Sequence, residues 1–328
     1  MNSTTDEIPI IPFGPDATCT LELCPIEYSI FQYRPSLAAN TTFVVLHFIL
    51  MLVHLRLGLR LKHWWFSGAM ILGCAFNVVS YGTRVLLWQN PFSFTGFLLQ
   101  IIDLRCLPWC WIVFVGSAPV FYSAAIYVTI TKTVERLDES LSRIKPKLYY
   151  VVFIICDIGA LTLQAVGGAV STVSSGSNAA GVDLALAGLI FQVVTMLTFV
   201  GLLADYLIRY FQDKAFANIS LRLKLFLCSL SLAILLILGR CAYRVAELSE
   251  GYSGTLFHDE PLFIGLEGVL IVLAVVALSI GHPGFVFNAD QAKLGEAYPD
   301  SLTPGGVESG DEPMDKYTGN SEQTLREK

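Results

Sequence analysis

Seven long runs of apolar residues constrain the fold of this chain more than any other feature of its sequence. Each run is long enough to cross about 30 Å of hydrocarbon as an α-helix, and charged or turn-forming residues separate consecutive runs. The predicted spans are Leu37–Leu55, Trp65–Leu87, Leu107–Thr131, Leu148–Val170, Leu184–Leu207, Leu223–Cys241 and Phe263–Gly281. The sequence therefore predicts an all-α integral membrane protein, a bundle of seven transmembrane helices.

Lysine and arginine are distributed unevenly between the predicted connections. The first, third and fifth connections are basic, whereas the fourth, Ser171–Asp183, has neither lysine nor arginine. In the sixth connection, Arg240 and Arg244 are followed by several carboxylates. Because short basic loops stay in the cytosol, the odd connections are predicted to be cytosolic. This orientation places the N-terminus outside and the C-terminus in the cytosol.

The charge balance suggests three parts of the chain and argues against one class of partner. We expect an extracellular segment over residues 1–36, a membrane domain over 37–284 and an acidic cytosolic tail over 285–328. The tail is poor in large apolar groups, so it is predicted to be disordered. Only 15% of the residues are charged and no basic stripe is present, which excludes nucleic acid as a partner.

Two features of the predicted outer side suggest modifications. Cys19 and Cys24 would face an oxidising compartment, where a disulfide between them is possible. Cys106 and Cys110 are competing partners, and free thiols are the alternative. The N-T-T pattern that begins at Asn40 is an acceptor pattern for glycosylation.

Polar side chains inside or at the ends of the spans are the candidates for a binding site, because ionisable groups are costly at membrane depth. On the fourth helix, the i, i+7 spacing of Asp157 and Gln164 places both on one face, followed by Gly167 and Gly168, which allow close helix packing. The full set of candidates is Arg84, Asp157, Gln164, Gln192, Arg240, Arg244, Glu247 and Glu267. These groups can form an interhelical network that fixes packing, or line a polar cavity for the head group of an amphipathic ligand.

Several motifs of other membrane proteins are missing from the sequence. No G-x-x-x-x-G-K-[ST] loop occurs, and the seventh span has no lysine that could bind retinal. The histidines lack the paired spacing of a zinc site, and the D/E-R-Y and N-P-x-x-Y patterns of receptors coupled to G proteins are absent. We therefore predict no cofactor, no metal and no enzymatic activity. A receptor-like lipid sensor and an intramembrane lipid hydrolase are the alternatives to a transporter.

The ordered set of unusual residues resembles the fungal lipid-translocating exporter family, the RTA-like proteins of aminocholesterol resistance. The resemblance covers all seven predicted spans. It begins with Y-R-P-S at Tyr33, includes Asp157 and Gln164, and ends with H-P-G at His282. Family members commonly show E-x-x-G-Y-x-x-R in the second helix. This chain departs from that pattern, with asparagine at Asn77 and serine three residues later.

The resemblance implies export or transbilayer movement of sphingoid long-chain bases or related lipophilic compounds at the plasma membrane, and resistance to toxic lipophiles. Relatives are also linked to porphyrin or haem traffic. The expected partners are membrane lipids or amphipathic small molecules in the bilayer. The acidic candidates would bind the ammonium group of a sphingoid base, and the arginines would bind phosphate or carboxylate.

Overall fold

The computed structural model describes residues 18–29, 31–92, 114–137, 139–143, 145–173, 179–213, 220–251 and 254–288, and all regular secondary structure in these ranges is helical. The first six long helices are α1 Leu37–Leu61, α2 Trp64–Gln89, α3 Phe114–Leu137, α4 Pro146–Val173, α5 Ala179–Asp213 and α6 Leu221–Ser249. Short 3₁₀ turns lie at Ile26–Tyr28, Glu139–Leu141 and Leu256–His258.

The last long helix, α7, changes its winding along its length. It starts as an α-helical turn at Glu260–Leu262, continues as a π-helix over Phe263–Val269 and returns to α-helix over Leu270–Ile280. Asp259 caps the first turn, since its side chain accepts a hydrogen bond from the backbone N–H of Leu262. A π-helical stretch is rare and often lies at a functional site.

Six of the described helices are long and apolar enough to cross a membrane, namely α1, α2, α4, α5, α6 and α7. The prediction of an all-α, multi-pass membrane protein is thereby confirmed. The predicted third span, Leu107–Thr131, lies partly outside the described residues, and its residues 114–131 fall within the described helix α3. The count of seven spans remains a prediction.

The helices are longer than the apolar runs that predicted them. Helix α6 continues beyond Cys241 to Ser249, and α1 continues beyond Leu55 to Leu61. Hydropathy marks only the part of a helix that lies in hydrocarbon, whereas the backbone hydrogen bonds extend into the interfacial region. As a result, Arg244 and Glu247 lie on the same helix as Arg240.

Helices α4 and α5 pack closely through small residues. A Cβ atom added to Gly188 would lie 2.8 Å from the carbonyl oxygen of Ala160, and one added to Gly181 would lie 3.0 Å from that of Gly167. Such distances leave no room for a side chain. Elsewhere, large apolar side chains such as Trp65 and Ile155 are exposed on the outer faces, as expected for surfaces in contact with lipid.

The segment before α1 packs against the end of α2. A disulfide joins Cys19 to Cys24, and the buried ring of Phe92 contacts it. Cys106 and Cys110 lie outside the described residues. The Asn40 side chain is 2% exposed and donates a hydrogen bond to the Ser36 carbonyl, so its amide is not accessible to a glycan in this conformation.

Candidate functional site

Arg84 on α2 is held by aromatic groups deep in the bundle. It is 2% exposed, and its Nη2 donates to the Tyr33 hydroxyl over 2.6 Å. Its guanidinium carbon lies 3.7 Å from the centre of the Phe263 ring on α7 and 5.3 Å from that of Phe31. Its Nε is buried and has no hydrogen-bond partner among the described residues. Cation–π contacts and one phenol therefore stabilise this charge.

Two ion pairs lie close to Arg84. Arg240 on α6 pairs with Glu267 on α7, and Arg244 pairs with Glu247 one turn further along α6. The first pair is almost completely buried, whereas the Arg244 side chain is 29% exposed. We call Arg84 and these two pairs the charged cluster. With all five groups ionised, the cluster carries one more positive than negative charge.

The helical geometry explains why these side chains meet. Arg240, Arg244 and Glu247 follow i, i+4, i+7 spacing, which places them on one stripe of α6. Glu267 lies within the π-helical segment of α7, where both Phe263 and Glu267 are buried. Because a π-turn holds more residues than an α-turn, this segment changes which side chains of α7 face α2 and α6.

A small polar cavity lies between α2, α6 and α7. The residues that line it are Asn77, Ser80, Tyr81, Arg240, Phe263, Glu267 and Ile271. Its volume is about 10 Å³, which is room for about one water molecule. Glu267 Oε2 is buried and has no hydrogen-bond partner among the described residues. The cavity thus contains a buried carboxylate oxygen that can accept a hydrogen bond.

The second-helix departure from the family pattern falls on this cavity. Asn77 and Ser80, at the positions where the resemblance implies glutamate and glycine, both line it. The Asn77 amide donates to the Tyr122 hydroxyl of α3 over 2.9 Å. Glu267 is therefore the sole carboxylate among the described residues that line the cavity.

The remaining candidates form a separate group on α4 and α5. The Gln164 side-chain amide donates to the side-chain Oε1 of Gln192 over 3.0 Å, next to the close contact at Gly188. Asp157 is 1% exposed and faces the Tyr127 hydroxyl of α3. Neither Asp157 Oδ1 nor this hydroxyl forms a hydrogen bond of normal geometry within the described ranges. In the part of the chain that the structure describes, no ion pair connects Asp157 to an arginine.

The structure places further residues next to the charged cluster. The search for polar residues within the spans did not predict them. Tyr33 and Phe263 contact Arg84 directly, and the Glu260 carboxylate, which accepts a hydrogen bond from the Ser36 backbone N–H, interacts electrostatically with Tyr33. Burial raises the pKa of Tyr33, although Arg84 opposes the shift, so the phenol stays neutral at pH 7. The Y-R-P-S motif was a sequence signal for Tyr33, whereas an aromatic ring such as Phe263 carries none.

The fold and this site define a multi-pass helical membrane protein with a charged interior. The chain matches the family model described as RTA1 like protein over residues 70–290. It belongs to this family, which confirms the resemblance noted in the sequence.

Several relatives from Saccharomyces cerevisiae are similar over most of their length. A sphingoid long-chain base transporter, RSB1 of strain Lalvin EC1118, is 30% identical over 311 aligned residues, which cover 84% of this chain and 77% of the relative. Protein RTA1 is 26% identical, with 78% of this chain and 85% of the relative covered. Protoporphyrin uptake protein 1 is 26% identical over 64% of this chain and 66% of its own length. No solved structure matches the chain.

Proposed function

We propose that this protein moves sphingoid long-chain bases, or related amphipathic lipids with a cationic head group, across the bilayer. The observation that carries the proposal is the buried Glu267 Oε2 atom, which has no hydrogen-bond partner among the described residues and belongs to a polar cavity between three helices. A carboxylate of this kind is the natural partner of an ammonium group. The names of the relatives, among them sphingoid long-chain base transporter, support the same class of substrate.

The binding step would bring a second cation to the Glu267 carboxylate. In the described conformation, Arg240 occupies one side of the Glu267 carboxylate. An entering ammonium group would donate to Oε2 and compete with Arg240 for the Glu267 carboxylate. Arg84 and Arg244 are the groups that would meet a phosphate or carboxylate on related substrates. The Gln164–Gln192 pair and Asp157 would offer further polar contacts along the path.

The size of the cavity implies that the helices must move for transport. Room for about one water molecule cannot accept an amino-diol head group. The described conformation is therefore a closed state in this scheme, and α2 must separate from α6 and α7 to admit a substrate. The π-helical segment of α7 is a suitable hinge, because its winding differs from that of its flanks.

We also propose the finer topology: seven spans with α3 as the third, the N-terminus outside and the tail in the cytosol of a plasma-membrane protein. The six membrane-length helices and the basic connections support this arrangement. It retains the extracellular segment 1–36, the membrane domain 37–284 and the cytosolic tail 285–328. The first residues of that tail, 285–288, are helical and pack against the end of α1, in contrast to the disorder predicted for the tail. A non-enzymatic role is supported by the name of the relative RSB1, a sphingoid long-chain base transporter.

Transport can be tested with purified protein in liposomes and a labelled long-chain base. Wild-type protein should speed the appearance of the base in the opposite leaflet, and Glu267→Gln should slow it towards the rate of empty liposomes. Glu135→Gln, which changes an exposed glutamate of α3, is the matched control and should transport like the wild type. Equal rates with and without protein would overturn the proposal, and binding without movement would favour a lipid sensor.

A further inference from the structure

A second cavity lies at the other end of the bundle, where α1 ends and α2 begins. It has a volume of about 270 Å³ and is bordered by the α1–α2 corner, helix α3 and the short helical segment over residues 283–288. Two lysines line it: Lys62 at the end of α1 and Lys132 on α3. Within the described ranges, neither lysine forms an ion pair with a carboxylate. The cavity therefore presents two positive charges that the described carboxylates do not neutralise.

Apart from His63 and Thr129, the other residues that line the cavity are aromatic or apolar. Trp64 and Trp65 begin α2 and are 50% and 81% exposed, and Phe66 and Val128 also line the space. Tryptophan is enriched where helices cross from hydrocarbon into the head-group layer. This composition combines a cationic rim with an apolar wall, which suits a lipid better than a small hydrophilic anion.

Several contacts hold the cavity in shape. Asn288 donates to the Leu61 carbonyl over 3.2 Å, and its side-chain oxygen is 3.1 Å from Nε2 of His63. A Cβ atom added to Gly284 would lie 2.6 Å from that of Leu61, so the helical segment 283–288 lies directly against the end of α1. The Arg136 guanidinium lies 4.0 Å from the centre of the Phe287 ring and adds a third cation beside the cavity. A fixed, preformed site of this kind can bind a ligand with little loss of entropy.

We propose that this cavity binds the phosphate group of an anionic phospholipid from the surrounding leaflet. Lys62 and Lys132 would donate to the phosphate oxygens, and the glycerol and acyl chains would lie along Trp65 and Val128. The basic connections place this end in the cytosol by prediction, and the cytosolic leaflet is the one rich in anionic lipid. The site is distinct from the charged cluster, so the proposal does not depend on transport of a sphingoid base.

The test compares lipid binding by full-length variants in nanodiscs or detergent, using native mass spectrometry with phosphatidylserine and phosphatidylcholine. Wild-type protein should retain phosphatidylserine in preference to phosphatidylcholine. The double variant Lys62→Gln/Lys132→Gln should bind phosphatidylserine about 30-fold more weakly, since each lysine near an anionic surface contributes on the order of fivefold. The matched control is Lys145→Gln/Lys147→Gln, which alters two exposed lysines outside the cavity at the same end of the bundle and should bind like the wild type.

Three results would overturn the proposal. They are equal binding of phosphatidylserine by the wild type and the Lys62/Lys132 double variant, equal binding of phosphatidylcholine and phosphatidylserine, and displacement of the lipid by inorganic phosphate at millimolar concentration. The last result would assign the cavity to a soluble anion. Since the substituted lysines are not part of the apolar core, the melting temperature of each variant serves to verify folding.

Discussion

The Arg240 guanidinium of α6 and the Glu267 carboxylate of α7 form an ion pair between side chains that are 6% and 4% exposed. A pair buried this deeply adds little net stability, because the loss of hydration offsets the attraction. Removing one partner is different, since it leaves a charge that is buried and uncompensated. The pair therefore connects two helices in a way that a competing cation could disturb.

We expect Glu267→Gln to lower the free energy of unfolding by about 3–5 kcal/mol, because Arg240 would lose its buried counter-charge. Thermal unfolding of the purified protein in detergent measures the effect. Arg240→Met/Glu267→Met should recover most of the loss, as no charge remains unpaired. The control is Arg143→Gln, which removes a pair between side chains that are 59% and 33% exposed and should leave the melting temperature unchanged. A wild-type melting temperature for Glu267→Gln would contradict the prediction.

Tyr33→Phe should destabilise the protein by about 1–3 kcal/mol, because Arg84 would lose the phenol oxygen that accepts from its Nη2. Arg84 Nε already lacks a described partner, so the buried guanidinium has few alternatives. Thermal unfolding of the purified protein in detergent also measures this effect. Tyr28→Phe changes a tyrosine that is 63% exposed and should have no effect. Equal losses in the two variants would show that the Arg84 contact is not the cause.

Gly188→Ala should cost about 1–3 kcal/mol, because the new methyl group would lie 2.8 Å from the Ala160 carbonyl oxygen and force α4 and α5 apart. The same shift would stretch the Gln164–Gln192 hydrogen bond. Gly201→Ala on the same helix meets no atom within 4 Å and should be neutral or slightly stabilising. If the two alanine variants unfolded alike, close packing at Gly188 would not be what holds the helices together.

Asn77→Leu should reduce the rate of transport of a long-chain base by about tenfold. One wall of the Glu267 cavity becomes apolar, and the ammonium group loses a polar neighbour that contributes about 1.4 kcal/mol. Asn77→Glu places a second carboxylate in the cavity and should equal or exceed the wild-type rate. The liposome assay with a labelled base compares the three proteins. If Asn77→Glu lowered the transport rate as much as Asn77→Leu, a carboxylate introduced at this position would not assist binding of the base. That result would contradict the prediction.

Some of the candidate site could be predicted from helical spacing alone. Arg244 and Glu247 lie one turn apart on one helix, so their proximity follows from the sequence once the helix is known to continue beyond Cys241. No comparable pattern in the sequence predicted the contacts between helices. The Tyr33 hydroxyl is far from Arg84 along the chain, and the Phe263 ring that covers the guanidinium looks like any other apolar residue of the seventh span.

The candidates that polarity selected also belong to two places. Arg240 and Glu267 line the cavity between α2, α6 and α7, and Arg84 contacts Phe263 in its wall, whereas Gln164 and Gln192 pair between α4 and α5. Polarity at membrane depth identifies a costly residue but not its partner. The partner depends on how each helix is rotated about its axis, and that rotation results from packing at residues such as Gly188.

Hydropathy and family motifs within the sequence were enough to establish a helical, multi-pass membrane protein of the RTA1-like family, because apolar run length and helical period are local properties of the chain. Tertiary packing alone decided that Glu267 meets Arg240 beside a cavity with room for about one water molecule. The π-helical segment Phe263–Val269 changes the direction of the Glu267 side chain, and the residue types in that segment do not predict a π-helix. Contacts between helices require the relative rotation and distance of several elements, which no single stretch of sequence contains.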